Sequence, residues 1–365
     1  MNRSKSWRET LRPVGCLLAV ALCCCPARAD GISDTYWGDS WHHRVIGSQA
    51  AWAVSPGSSD IVVAVVDTGV DATHPDLLGQ VVTGWNLFTN SADTSPTYWH
   101  GTAVAGVIAA QADNARGVAG VADVSIMPVV VSAGNTMSVP QASAGIRWAV
   151  DHGAKVVNLS AAMNHYDEFR SAVRYAMAHD VLVVMGTPNT DTVGGQPAWE
   201  DLILVSSSDP DDNRYMSQYA NGLDLLAPGV DIYTTYAEPG REGEDRYALG
   251  WGTSFAVPIV CGAAALAWSI NPDLSACEVR EMLFETAVDL HTPGWDMQTG
   301  HGRLDLAALA LAADATVPEP ATATLLLLAA AGLARRKRAR RDRLRRPEGS
   351  GANSRGRKPP VASPK

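Results

Sequence analysis

From Ile61 onward the chain alternates short β-branched apolar runs with stretches of helical period, and that alternation admits very few architectures. The runs IVVAVVD (61–67), VSIMPVVV (124–131), AKVVNLS (154–160), VLVVMG (181–186), LILVSS (202–207) and LDLLAPG (223–229) are brief and bounded by turn residues. That is the pattern of strands buried on both faces. Helices are predicted between and after them, at about 101–111, 141–152, 166–178, 254–269 and 276–288. Strands separated by helices imply an α/β fold of three layers, a mostly parallel sheet with helices on both faces. Ligands bind such sheets at the carboxyl ends of the strands. The rule points to Asp67, Ser160 and Asn189, each at or just past such an end.

No internal repeat or linker interrupts residues 30–312, which read as one domain. With 46% hydrophobic and 18% charged residues, the chain of 365 has apolar material for a sizeable core. The net charge of −9 hides a strong polarity, because most basic residues lie at the two ends. Residues 30–334 carry 11 basic against 35 acidic residues, about −24. A surface that acidic keeps an exported protein soluble and excludes nucleic acid as a partner.

Both ends read as addresses. Arg3, Lys5, Arg8 and Arg12 precede an apolar run over 14–25, and Ala27-Arg28-Ala29 supplies small residues for cleavage after Ala29. Residues 1–29 are therefore a predicted secretory signal peptide, with an apolar run too short to span a bilayer. Cys261 and Cys277 remain in the mature chain. Export permits a disulfide, while their helical setting equally suits free thiols. After residue 313 come VPEP (317–320), an apolar stretch over 321–334, an arginine cluster over 335–346, and a basic tail over 347–365 expected to be disordered.

Three segments carry the chemistry. In VVAVVDTGVDATHPDL (62–77) an acid ends an apolar strand, where burial without a cationic or imidazole partner is costly. In HGTAVAGVIAA (100–110) a histidine starts a helix of small residues. A helix N-terminus disfavours imidazolium, so a carboxylate is needed beside it. In GWGTSFAVPIVCGAAALAW (250–268) Ser254 sits where a glycine-rich turn enters an apolar helix, its own N–H among the unpaired donors of the first turn. Taken singly, each segment has a plain structural use, as strand-end turn, surface histidine or helix cap.

Together the three resemble the signatures of the subtilase family of serine proteases. Asp-Thr-Gly followed by His74-Pro75-Asp76, His-Gly-Thr, and Gly-Thr-Ser-Phe-Ala-Val-Pro match it in order and spacing, across about 41–310. The resemblance implies a subtilisin-like fold and a serine endopeptidase that needs no cofactor for catalysis, with Ser254 as nucleophile, His100 as base and Asp67 as the residue orienting it. It also aligns Asn189 with the family's oxyanion donor, although Pro188 replaces a glycine there and removes an N–H. Ser160, Ala161 and Ala162 stand where the family's substrate-binding edge is richer in glycine. Their backbone is expected to pair with an extended peptide, with methyl groups intruding. The segment QADNARGVAGVA (111–122) resembles the family's calcium loop, with Asp76, Asp113 and Asn114 as candidate oxygen ligands of a structural calcium.

The family's propeptide has no counterpart in the roughly ten residues after the expected signal cleavage. The domain is expected to fold unaided, with a separate factor, or from a start further upstream. The tripartite tail resembles the PEP-CTERM sorting signal of some bacteria, recognised by exosortases. It implies an exported, cell-surface or extracellular protein whose C-terminal helix holds the membrane transiently. The alternative is a non-catalytic surface protein of the same fold that binds peptides. A phosphate-binding domain is excluded, because DTGVD puts an acid where phosphate would sit.

Overall fold

The computed structural model describes residues 31–317 except 135, 164–165, 195–197, 220 and 239–245. The expected signal peptide, the apolar and arginine-rich parts of the tail from 318, and the segment 347–365 lie outside the described residues.

Two short helices, α1 (Trp41–Ile46) and α2 (Ser48–Val54), precede β1 (Val62–Asp67) and β2 (Trp85–Asn86). Then come α3 (His100–Ala109), β3 (Ser125–Val130), α4 (Val139–Asp151), β4 (Val156–Leu159), α5 (Asp167–Ala178), β5 (Leu182–Gly186), β6 (Leu202–Ser208) and β7 (Leu225–Pro228). A hairpin of β8 (Ile232–Thr235) and β9 (Tyr247–Gly250) leads into α6 (Thr253–Ile270), followed by α7 (Ala276–Glu285) and α8 (Leu306–Ala315). The sheet has seven parallel strands in the order β2-β3-β1-β4-β5-β6-β7. All six predicted strands are present within about two residues of their expected ends. The chain leaves β1 toward β3, then returns to lay β4 on the other side of β1. This reversal is the switch point at which open α/β sheets form their ligand crevice.

Successive side chains on a strand face opposite ways, and the core divides accordingly. Val63, Val65, Leu182, Val184, Ile203 and Val205 join the layer containing α3 and α6. Ala64, Val66, Val183, Met185, Leu202 and Leu204 join the layer containing α4 and α5. The expected three-layer α/β fold is thus present. Helix α6 is apolar around its whole circumference, as a helix covered on all sides must be. Among the described residues it alone is long and apolar enough to cross a membrane, yet it is the core helix of this domain.

The expected domain end at 312 falls inside α8, whose Leu306, Leu309, Ala310 and Ala313 are buried in the core. Cys261 in α6 is a buried free thiol and Cys277 in α7 an exposed one.

Candidate active site

Asp67 is the last residue of β1 and only 2% exposed. Its carboxylate accepts the Thr68 N–H at 2.8 Å and faces Nδ1 of His100 at 2.9 and 3.0 Å. Thr68 ties the strand end to α3: its hydroxyl accepts the Gly101 N–H at 3.0 Å and donates to the Tyr98 carbonyl at 3.0 Å. Gly101 is required by the close approach, since a Cβ there would lie 2.3 Å from the Gly69 carbonyl oxygen. These contacts give the Asp-Thr-Gly and His-Gly motifs their physical content. They hold a buried carboxylate against the first residue of a helix.

His100 starts α3, and burial works against its protonation. The Asp67 charge and their hydrogen bond outweigh that cost and raise its pKa above the ordinary imidazole value. Helix α3 is gripped from its other side by the hairpin. Thr234 donates to the Ala103 carbonyl, and Thr235 to the Thr102 carbonyl at 2.7 Å. The hairpin is held in turn by Arg246, which pairs with Asp71 and whose carbonyl accepts from His74 Nε2 at 2.7 Å.

Ser254 is the second residue of α6, reached through Gly252 at φ 104°. Among the first-turn donors, the Thr253 N–H goes to Asn189 Oδ1 at 2.8 Å and the Phe255 N–H to the Gly252 carbonyl. The Ser254 N–H therefore remains for an incoming oxygen. Because Asn189 spends its carbonyl end on Thr253, its NH₂ end is left for the cleft. Pro188 keeps Asn189 beside this turn: its carbonyl accepts the Thr190 and Gln218 N–H groups, and the carbonyl before it accepts the Thr253 hydroxyl at 2.8 Å. The Ser254 hydroxyl itself donates to the Ser160 carbonyl at 3.2 Å.

An open cleft of about 470 Å³ joins Asp67, His100, Ser254, Asn189, Ser160, Ala161 and Ala162 in one wall. All seven catalytic and substrate-binding residues expected from the sequence thus border the same space. Strand β4 ends at Leu159, so residues 160–162 lie past the strand proper, and the Ala161 N–H turns back onto the Leu159 carbonyl at 2.8 Å. Trp99, Tyr98, Met137 and Met163 add apolar lining that no motif had marked.

The loop 111–122 offers a second cluster. Asp76 is fully buried and accepts the Asn114 side-chain amide at 2.9 Å and the Val118 N–H at 3.0 Å. Asp34 caps the same loop, accepting the Asp113 and Asn114 N–H groups at 2.8 and 2.9 Å. Burial raises the Asp34 pKa, the two backbone N–H bonds oppose that rise, and the Asp76 charge adds to it. Two buried carboxylates that repel each other supply oxygens of the kind a hard cation takes, whereas Asn114 turns its NH₂ to Asp76 and commits its Oδ1 to the Arg116 N–H at 2.8 Å. Asp113 instead turns its carboxylate to the Ser33 N–H. Among the described residues no group of three His, Cys, Asp or Glu could hold a metal, so main-chain oxygens would complete such a site. Asp34 was not foreseen, because the stretch containing it carries no periodicity or motif.

Asp67, His100 and Ser254 thus border one cleft at the carboxyl ends of a parallel sheet, where such sheets bind their ligands. The chain belongs to the subtilase family, whose peptidase S8 model matches residues 58–302. It is 36% identical to fervidolysin of Fervidobacterium pennivorans over 302 residues, covering 73% of this chain and 43% of that protein. It is 37% identical to thermitase of Thermoactinomyces vulgaris over 243 residues, covering 65% of this chain and 84% of the relative. The chain thus spans less than half the length of fervidolysin. The crystal structure of fervidolysin superposes with a TM-score of 0.66 at 31% identity, over 76% of this chain and 46% of that one. A protease structure from Pseudoalteromonas arctica superposes at 0.70 and 25% identity, over 78% and 100% of the two chains.

Proposed function

We propose that the protein is an exported serine endopeptidase in which Ser254 attacks, His100 is the base and Asp67 orients it. The hydrogen bonding of Asp67 to His100 Nδ1, at the edge of the cleft holding Ser254, carries the reading. With Nδ1–H donated to Asp67, Nε2 is the basic nitrogen left for the nucleophile, which borders the same cleft. The Ser254 hydroxyl rotates from the Ser160 carbonyl to His100, gives Nε2 its proton and bonds to the scissile carbonyl carbon. The Ser254 N–H and the Asn189 NH₂ receive the oxyanion. As the C–N bond breaks, His100 protonates the leaving amine. Water then attacks the Ser254 ester with His100 again as base, and the proton returns to Ser254.

A fluorophosphonate probe should label the purified protein at Ser254, and Ser254→Ala should remove both labelling and hydrolysis of a peptide library. Peptide binding without turnover, unchanged in Ser254→Ala, would establish the non-catalytic reading instead.

Export follows from the signal-like N-terminus, and the VPEP, apolar and arginine-rich order of the tail supports sorting by an exosortase after transient membrane anchoring. Trapping of a membrane-bound precursor by deleting 317–346, rather than its release, would count against that route. Asp34 and Asp76, joined by Asn114 once its amide turns its oxygen inward, would hold a calcium ion that stiffens the loop without entering the chemistry. A chelator should then lower the melting temperature, and Asp34→Asn should abolish that response.

A further inference from the structure

Pro258 lies inside α6, four residues after the nucleophile. In an α-helix the N–H of residue 258 would bond to the carbonyl of Ser254. Proline has no N–H, and its ring presses on the carbonyl four residues back. The Ser254 carbonyl therefore loses its helical partner in the turn where catalysis needs least freedom. A backbone acceptor left unpaired away from water is costly.

That carbonyl is taken from outside the helix. The Ser160 hydroxyl donates to it at 3.0 Å. A hydroxyl has one proton, so with that proton committed, Ser160 Oγ is an acceptor toward its other neighbour. The neighbour is the Asn158 side chain, whose NH₂ donates to it at 3.0 Å. Asn158 is fully buried on β4, where it is in register with Val65 of β1 and Val184 of β5. The chain of bonds thus starts in the middle of the sheet and ends on the nucleophile's own backbone. In return the Ser254 hydroxyl donates to the Ser160 carbonyl, so two bonds of opposite direction join these two residues.

We propose that Ser160 is a positioning residue whose side-chain hydroxyl, oriented by Asn158, fixes the first turn of α6 by taking the carbonyl that Pro258 leaves unpartnered. The role is distinct from any backbone contact Ser160 makes with substrate. It sets both the place of the Ser254 N–H in the oxyanion site and the arc through which its hydroxyl swings to His100. An interior proline is a usual point for a helix to kink. Here the kink would sit beside the nucleophile, and the Ser160 hydroxyl is what restrains it.

The proposal rests on Ser254 being the nucleophile, and a double-mutant cycle tests it separately. Ser160→Ala should lower kcat about tenfold with KM within about twofold, since alignment is lost and substrate contacts through the backbone are kept. Ser160→Thr, which retains the hydroxyl, should recover most of the rate. In Pro258→Ala the helix regains its own N–H, so the further step to Ser160→Ala should cost less than about threefold. An equal cost of Ser160→Ala in both backgrounds, or a loss confined to KM, would overturn the proposal. Should Pro258→Ala fail to fold, the fluorophosphonate labelling rate of folded Ser160→Ala against Ser160→Thr decides, with equal rates overturning it. Failure of the wild-type protein to label at Ser254 would instead remove the functional reading itself.

Discussion

The two halves of the cleft are built by different means. On the base side, Asp67 and His100 are locked from within their own motifs, Thr68 bridging strand and helix and Gly101 permitting contact, while two threonines of the distant hairpin grip α3 from behind. On the nucleophile side, Ser254 is reached through a glycine turn and steadied by partners far away in sequence, Asn189 and Ser160. The contrast teaches that the proposed base is fixed first by its own motifs, whereas the proposed nucleophile has no such local lock and borrows its rigidity from residues just past β4 and β5.

That contrast is open to test. The largest effect is expected from Asp67→Asn, which should cut kcat on the order of 10⁴, the size found for this exchange in other triads. The same variant should move the acid limb of the pH–rate profile downward. His100 must be neutral to act, and the carboxylate is what raises its pKa above the ordinary 6.5. The wild-type limb should therefore lie above that value, and a limb that stayed in place in Asp67→Asn would show that the pair does not titrate as described.

Asn189→Ala should cost about 10²–10³ in turnover, the range known for oxyanion donors of this kind. A loss of less than about tenfold would mean that Pro188 has turned the amide away from the oxyanion. Next comes Gly101→Ala, whose Cβ would meet the Gly69 carbonyl at 2.3 Å. It should destabilise the fold by about 1–3 kcal/mol and slow labelling of Ser254. Unchanged melting and labelling would show the base side to be looser than its hydrogen bonds indicate. The smallest effect is expected from Thr235→Val, a loss of at most about threefold in kcat. A larger fall would make the hairpin an equal partner in placing His100.

The sequence displayed the central layer well because burial on both faces leaves continuous apolar runs, and these survive as β1 and β3 to β7. The hairpin of β8 and β9 was not foreseen. Its strands, Ile-Tyr-Thr-Thr and Tyr-Ala-Leu-Gly, span only four residues each without a clean alternation, and its role depends on α3, about 130 residues away. Strand β2, two residues long, was equally invisible. Within the site, the triad residues announced themselves through local motifs. The hydroxyl of Ser160 did not, because its partner is a carbonyl that becomes available only through Pro258, four residues further along the helix. Asp34 escaped notice for a related reason: what marks it is the loop it caps, nearly 80 residues on.

Helix α6 has a further consequence. It rises about 1.5 Å per residue, so Trp268, whose indole donates to the Leu274 carbonyl, stands roughly 21 Å along the same helix from Ser254. Between them Gly262 leaves no room for even a methyl group, since a Cβ there would come 2.7 Å from Val121. Because nearly the whole helix is buried, loss of activity on warming should report melting of the interior rather than damage at the surface.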